Sequence, residues 1–220
     1  MVNNSLMKTK QILRLILVVF STLFVLFFAL MFVNGYTFSI DQKFINAAYK
    51  LRVDWLTVIV KIYTSFASIY AVGIITLLLV LLNKDWKIKV VSVFNVGVAS
   101  LLNILVKHIV KRPRPDVVAL IVETGYSFPS GHSMLAMAMY GFLAYLAFKY
   151  IKNVPIKYFL SIFSCITGIL IALSRVYLGV HYFTDIVCGL VLGMAVLVVS
   201  IMCHKYMIAL EDKIKNKRKE

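Results

Sequence analysis

Ser174, Arg175, His181 and Asp185 follow the spacing SR-x5-H-x3-D between two long apolar runs, residues 158–173 and 186–203. The chain uses acid sparingly, with nine Asp and Glu in 220 residues, and Asp185 alone is set against the mouth of a membrane-length apolar segment. A carboxylate at the centre of a bilayer costs about 2.5–3.5 kcal/mol on insertion scales, so a partner and a role are expected for it. His181 lies four residues earlier. On a helix, positions i and i+4 share a face, which brings the carboxylate within reach of the imidazole. A carboxylate that holds one ring nitrogen leaves the other free as a base or nucleophile. A cation, a base or nucleophile and an orienting acid therefore meet at one membrane face.

Two further clusters carry compatible chemistry: Lys107 with Arg114-Pro115, spaced K-x6-RP, and Pro129-Ser130-Gly131-His132. A phosphoryl group in transfer spreads charge over its oxygens, so fixed cations and N–H donors should surround it. Lys107, Arg114 and Arg175 supply positive charge, and the arginines offer forked donors suited to phosphate. Pro129 is expected to open the fourth membrane helix. Ser130 and Gly131 then present a hydroxyl and backbone N–H groups at a helix amino terminus, which favours anions. Gly131 also permits close backbone approach.

Taken singly, these residues have plainer explanations. Lys107 and Arg114 could be interfacial snorkellers. Ser130 could be an N-cap alone, and His132 an interfacial polar residue. Asp185 and Arg175 could form a structural ion pair joining the fifth and sixth spans. The convergence of all three clusters favours the joint assignment. Lys111 and Arg112 add positive field and receive no direct role. His108 and His204 fall in no motif.

The three motifs, K-x6-RP, PSGH and SR-x5-H-x3-D, resemble the signature set of the type-2 phosphatidic acid phosphatase family of integral-membrane lipid phosphatases. In its site that family is also similar to the vanadium haloperoxidases and the bacterial non-specific acid phosphatases. The resemblance covers about residues 90–205. It implies that His181 is the nucleophile and forms a phosphohistidine. Asp185 would hold its tautomer and stabilise the developing charge. His132 would protonate the leaving lipid oxygen and then activate the hydrolytic water. Lys107, Arg114, Ser130, Gly131 and Arg175 would bind phosphate. The resemblance also implies metal independence, and no cofactor is expected. Two-metal phosphatases need clustered carboxylates, whereas this face offers Asp185, Asp116 and Glu123 among cations.

At 61% hydrophobic residues and a mean hydropathy of +0.90, the chain lies far from an ordinary soluble domain. The expected fold is all-α: a polytopic membrane protein with six transmembrane helices. The spans are placed at about residues 12–34, 58–82, 90–110, 129–149, 157–174 and 182–204. Between the first two, residues 39–54 read as a short amphipathic helix lying in the interface, either a connector or a lid beside the site. The 220 residues suit a single membrane domain, with a catalytic core at about 90–205 and a basic cytoplasmic tail at 205–220.

The net charge is +15. Its basic residues sit in short loops between apolar runs, which fits topology control and anionic lipid surfaces rather than nucleic acid. The amino terminus (Lys8, Lys10, Arg14), loops 83–89 and 149–157, and the tail fall on one side, taken as the cytoplasm. Loop 111–128 then faces outward and breaks the charge bias with Lys111, Arg112 and Arg114, as cations serving an external anion would. Cys165, Cys188 and Cys203 all lie in apolar runs and read as packing residues. Asn95 and Asn103 are expected to bond between helices, and Gly189 and Gly193 to mark close helix packing.

The expected activity is hydrolysis of a lipid phosphate or diphosphate monoester at the outer face of a bacterial plasma membrane. Within the family, undecaprenyl diphosphate and phosphatidylglycerophosphate are the candidate substrates, with a lean to the first. A lipid phosphotransferase and a non-enzymatic lipid-phosphate binding or transport protein are the alternatives. The oligomeric state is left open by the sequence.

Overall fold

The computed structural model describes residues 2–217, with the side chains of residues 2–8 and of Lys10 not included. The topology assignment of Lys8, Lys10, Arg218 and Lys219 therefore lies outside the described residues. Among the described residues there are eight helices and no strand: α1 Val2–Val33, α2 Ser39–Lys50, α3 Asp54–Ser65, α4 Ile69–Leu82, α5 Trp86–Val110, α6 Gly131–Tyr150, α7 Val154–Tyr177 and α8 Phe183–Lys217. Five carry segments long and apolar enough to cross a membrane: Gln11–Val33 of α1, then α5, α6, α7 and α8. Helices α3 and α4 pass the same test together only as a bent pair, which counts as a sixth crossing if the pair is one span. The chain is an all-α, polytopic membrane protein.

The second crossing departs from expectation. It is a broken helix with a 46° bend, not one continuous span. The cause is local. Ser68 starts a new helix by accepting the Ala71 N–H at 3.2 Å. The Phe66 carbonyl, freed from the ladder, accepts the Tyr140 hydroxyl at 3.0 Å. Ala67 at the break is fully buried against Ala136, Tyr140 and Ile171.

Helix α6 forms the centre, packed by α5, α7 and α8. Gly189 and Gly193 let α8 lie against its backbone. A Cβ at either position would stand 2.6 Å from a carbonyl oxygen of α6's first turns, Ser130 O or Met134 O. Asn95 donates to Ala138 O at 2.8 Å and accepts from Ser200 at 3.0 Å, so one buried amide ties α5, α6 and α8. Large apolar side chains cover the outside of α1, α4 and α5, where lipid replaces protein as the neighbour.

Helix α2 is amphipathic, as its pattern requires, but it is docked rather than loose. Ile45 packs with Ala172, Val176 and Ile186, and the Phe44 ring stacks on Phe183 at 3.8 Å. The last helix also exceeds its expected length. It runs to Lys217 without a break, so the basic segment after residue 204 continues the sixth crossing as helix instead of leaving it as a tail. Residues 205–217 extend it by about 20 Å at 1.5 Å per residue. Glu211 on this extension pairs with Lys87 of α5 and with Lys215.

Candidate active site

One end of the bundle gathers the carboxyl ends of α5 and α7, the amino ends of α4, α6 and α8, and the loop between α5 and α6. A cavity of about 350 Å³ opens there, lined by Asn103, Lys107, Arg114, Glu123, Gly131, His132 and His181, with Ser68 and Tyr70 from the broken crossing. The two histidines thus line one cavity although they stand far apart in the chain. Ser130 and Asp185 lie behind its wall and Arg175 beside it, through the contacts described below.

Each side chain is fixed by the way its element ends. Helix α5 stops at Lys111, whose φ of 52° turns the chain into the Pro113–Pro115 loop. Ser127 clamps that loop, its N–H on Arg112 O at 2.9 Å and its hydroxyl on Pro113 O at 2.8 Å. The Arg114 fork then donates to Gly125 O at 3.1 Å, Thr124 O at 2.9 Å and Val180 O at 2.8 Å. Its Nη1 lies 3.4 Å from His181 Nε2. Lys107 donates to Tyr126 O at 2.5 Å. Arg175 is 1% exposed. Its Nη1 donates to Thr64 Oγ1 at 3.0 Å and its Nη2 is paired with Glu123, while Nε is buried with no hydrogen-bond partner.

Helix α6 begins at Gly131, with Ser130 as its N-cap. Pro129 therefore stands outside the helix rather than opening it, and the Phe128–Pro129 bond is cis. The buried Ser130 hydroxyl accepts from Ser133 N at 3.4 Å and Ser133 Oγ at 2.9 Å, which is the plain N-cap arrangement. Its N–H donates to Asp185 O at 3.1 Å and so ties the starts of α6 and α8.

His181 is not on the helix that carries Asp185. Helix α7 closes at Gly179, whose φ of +76° suits a residue without Cβ; Val180 N–H then reaches back to Arg175 O at 3.2 Å. His181 follows in this turn, and α8 starts at Phe183. Asp185, the third residue of α8, caps the helix start by accepting Tyr182 N–H on Oδ2 at 3.0 Å. That oxygen lies 3.4 Å from His181 Nδ1, which makes no hydrogen bond of good alignment. The spacing of four residues therefore works through a capped helix start, not through a shared helical face.

Burial pushes the His181 imidazole down to about 4 from its ordinary 6.5, against the upward pull of Asp185 and with a further lowering from Arg175 and Arg114. At neutral pH the ring is uncharged. Burial also lowers the Arg114 guanidinium, which Glu123 and Asp185 partly offset.

The Arg175–Asp185 ion pair, the plainer alternative for these two residues, does not form. Arg175 pairs with Glu123, and Asp185 pairs with Arg112 at 2.5 Å. Glu123 spans the cations, its second oxygen lying 3.6 Å from Arg114. Arg112 is not merely a field cation but a buried partner of two carboxylates, Asp185 and Asp41. Asp41 shares the helical stripe of Ile45 and Ala48, the buried face of α2. That an acid stands on an apolar stripe was the available signal for it.

Residues 88–208 match the PAP2 superfamily. Phosphatidylglycerophosphatase B of Bacillus subtilis is 33% identical over 165 residues, covering 71% of this chain and 79% of that protein. The chain belongs to the PAP2 superfamily. Among solved structures, the transmembrane PAP2 type phosphatidylglycerolphosphate phosphatase from Bacillus subtilis superposes with a TM-score of 0.72 at 27% identity, covering 84% of this chain and 96% of that one. An undecaprenyl-diphosphatase of Sulfolobus acidocaldarius is 28% identical over 125 residues, 54% of this chain and 56% of that protein. The PAP2 match begins at residue 88, so α1–α4 lie outside it. They nonetheless supply Ser68 and Tyr70 to the cavity and Asp41 and Thr64 to the arginines beneath it. Among the described residues of this PAP2 chain, no three His, Cys, Asp or Glu side chains are grouped as metal ligands.

Proposed function

We propose that this PAP2 protein hydrolyses a phosphate or diphosphate monoester of a membrane lipid through a phosphohistidine on His181. The observation that carries the proposal is the division of the His181 ring. Nδ1 faces the Asp185 carboxylate, while Nε2 faces the Arg114 guanidinium on the cavity side. A neutral ring protonated on Nδ1 leaves the Nε2 lone pair free. Phosphorus bound among Lys107, Arg114 and Arg175 is attacked by Nε2, forming the N–P bond as the bond to the lipid oxygen breaks. His132 gives its proton to that oxygen, so the departing oxygen leaves as a hydroxyl and not as an oxyanion. Asp185 stabilises the charge left on the ring through Nδ1–H. Water then attacks phosphorus with His132 taking its proton. The N–P bond breaks, and phosphate leaves with both rings restored. The α6 amino terminus at Gly131 and the unpaired Nε of Arg175 are further donors for phosphate oxygens.

Basic loops and helix ends gather at the end of the bundle away from the cavity, including Lys84, Lys89, Lys152 and Lys157. This supports termini in the cytoplasm and a site facing outward. Phosphatidylglycerophosphate and undecaprenyl diphosphate are the substrates suggested by the names of the relatives. The greater identity and coverage of the phosphatidylglycerophosphatase puts the first of them at the head of a panel of lipid phosphates to be scored by phosphate release from the purified protein. We read the chain as one membrane unit.

Alkaline quenching with labelled lipid phosphate, in excess chelator and without an acceptor lipid, tests the chemistry. Label is expected as an acid-labile adduct on residue 181, with free phosphate accumulating. Label on another residue, or dependence on added Mg²⁺, overturns the proposal.

The depressed His181 value sets a pH expectation. Protonation removes the nucleophile, so lowering the pH through 6.5 leaves Nε2 available, and it is lost only near pH 4. Histidine-labelled NMR in detergent, assigned with His181→Gln, should show a midpoint near 4 for this ring. A midpoint at or above 6.5 contradicts it.

Glu123 holds the cations that the substrate needs. An anion entering the cavity must displace this carboxylate, so Glu123→Gln is expected to tighten inhibition by orthovanadate about 3- to 10-fold. Its kcat should stay close to that of the parent. Unchanged or weaker vanadate inhibition would show that Glu123 does not compete.

A further inference from the structure

Asp41, Arg112, Thr184 and Asp185 form a closed polar ring under the site. Asp41 Oδ1 accepts Thr184 N–H at 2.8 Å, and its Oδ2 accepts Thr184 Oγ1–H at 2.8 Å and Arg112 Nη2 at 2.7 Å. Arg112 Nη1 donates to Thr184 Oγ1 at 2.9 Å and to Asp185 Oδ1 at 2.5 Å. The guanidinium lies between the faces of Phe32 at 3.8 Å and Tyr182 at 3.9 Å. All four polar residues are buried.

We propose that Asp41 and Arg112 are positioning residues for the reaction, acting through Asp185 on His181. This rests on the phosphohistidine proposal above. The geometry divides the Asp185 carboxylate. Oδ1 is committed to Arg112, which leaves Oδ2 for the helix cap and the imidazole. Arg112 thereby sets the rotation of the carboxylate, and Asp41 sets the position of Arg112. The aromatic faces fix the plane of the guanidinium.

The charges point the same way. Two carboxylates share one guanidinium, so the buried ring carries a surplus negative charge while His181 is neutral. Attack of Nε2 on phosphorus makes the imidazole positive, and that charge stands against the surplus. The network therefore stabilises the phosphorylated ring more than the resting ring, which is the condition for accelerating the chemical step. A staple that only joined α2 to α8 would need Asp41 and Thr184, and no guanidinium reaching on to Asp185. The amphipathic helix α2 is then a fixed strut, because lifting it would strip Asp41 of its buried partners.

The test uses the full-length protein in lipid nanodiscs with the lipid phosphate that the panel identifies. Asp41→Asn keeps the shape and removes the surplus charge. Its kcat is expected to fall about 10- to 100-fold, by analogy with partners of ligating histidines. KM and orthovanadate binding should stay within about two-fold, with the single-turnover rate of phosphorylation falling in step with kcat. Arg112→Lys, unable to bridge both carboxylates, should show the same split. Asp41→Glu should recover part of the rate.

A parent-like kcat in folded Asp41→Asn or Arg112→Lys overturns the proposal. So does equal damage to kcat, KM and vanadate binding, which marks a purely structural role. Should Asp41→Asn fail to fold, Arg112→Lys and Asp41→Glu carry the same readouts, and failure of all three to fold assigns the ring to folding alone. His181→Ala separates the layers. Turnover in that variant sinks the phosphohistidine itself, whereas its loss beside a parent-like Asp41→Asn sinks only the positioning role.

Discussion

His181→Ala is expected to lose turnover on the order of 10⁴-fold or more, as other enzymes do when a member of a nucleophile–base unit is removed. No phosphoenzyme should be trapped. Under the phosphohistidine proposal the loss is specific to chemistry, because the ring acts as the nucleophile and not as the main source of affinity. Lys107, Arg114 and Arg175 remain, so orthovanadate should still bind. His132→Ala separates the two imidazoles. It should still form the phosphoenzyme from a substrate with a good leaving group, such as p-nitrophenyl phosphate, which needs no proton at departure. Hydrolysis of the adduct should then slow, and label should accumulate. An acid-labile adduct in His181→Ala would move the nucleophile to another residue.

Arg175→Ala is expected to reduce kcat/KM by about 10²–10³-fold, the range seen when a preorganised donor to developing charge is lost. Arg175 is the most buried of the three cations proposed to bind phosphate, and its hydrogen bonds reach helix α3 through Thr64 and the α5–α6 loop through Glu123. Its removal takes away charge and leaves both partners with one bond fewer. Arg175→Lys should recover little, since an ammonium cannot meet Thr64, Glu123 and a phosphate oxygen from one planar fork. Vanadate binding should weaken in parallel with kcat/KM, unlike in His181→Ala. Parent-like vanadate affinity in Arg175→Ala would remove this arginine from the phosphate seat.

Much of this arrangement was legible because hydropathy and spacing are local. Apolar runs located the crossings, and the amphipathic stripe located α2 at Ser39–Lys50. The three motifs pointed to one membrane end because helix ends alternate between the two faces. Asn95 and Gly189 were legible for a related reason: a lone amide or a bare Cα in an apolar run has few uses other than helix contact. What stayed hidden depends on pairing across the chain. Arg112 and Asp41 are 71 residues apart, and nothing in either neighbourhood names the other. Glu123 reaches Arg175 across 52 residues. The break at Phe66–Ser68 was averaged away, since the residues on both sides are apolar and the bend rests on one serine cap. The spacing of four between His181 and Asp185 fits both a helical face and a capped turn before a helix, so the local pattern does not separate the two.

The reach of α2 into the catalytic end has a consequence for modular exchange among these proteins. The stretch matched by the superfamily, residues 88–208, contains every motif side chain but not Asp41, Phe32 or Thr64. A chimera spliced at that border would keep the Arg112–Asp185 and Arg175–Glu123 pairs but lose Asp41 and Thr64, and leaving buried guanidinium donors short of a partner costs about 1–3 kcal/mol each. Grafts between relatives should therefore carry the first four helices together with the motifs, as one inherited block.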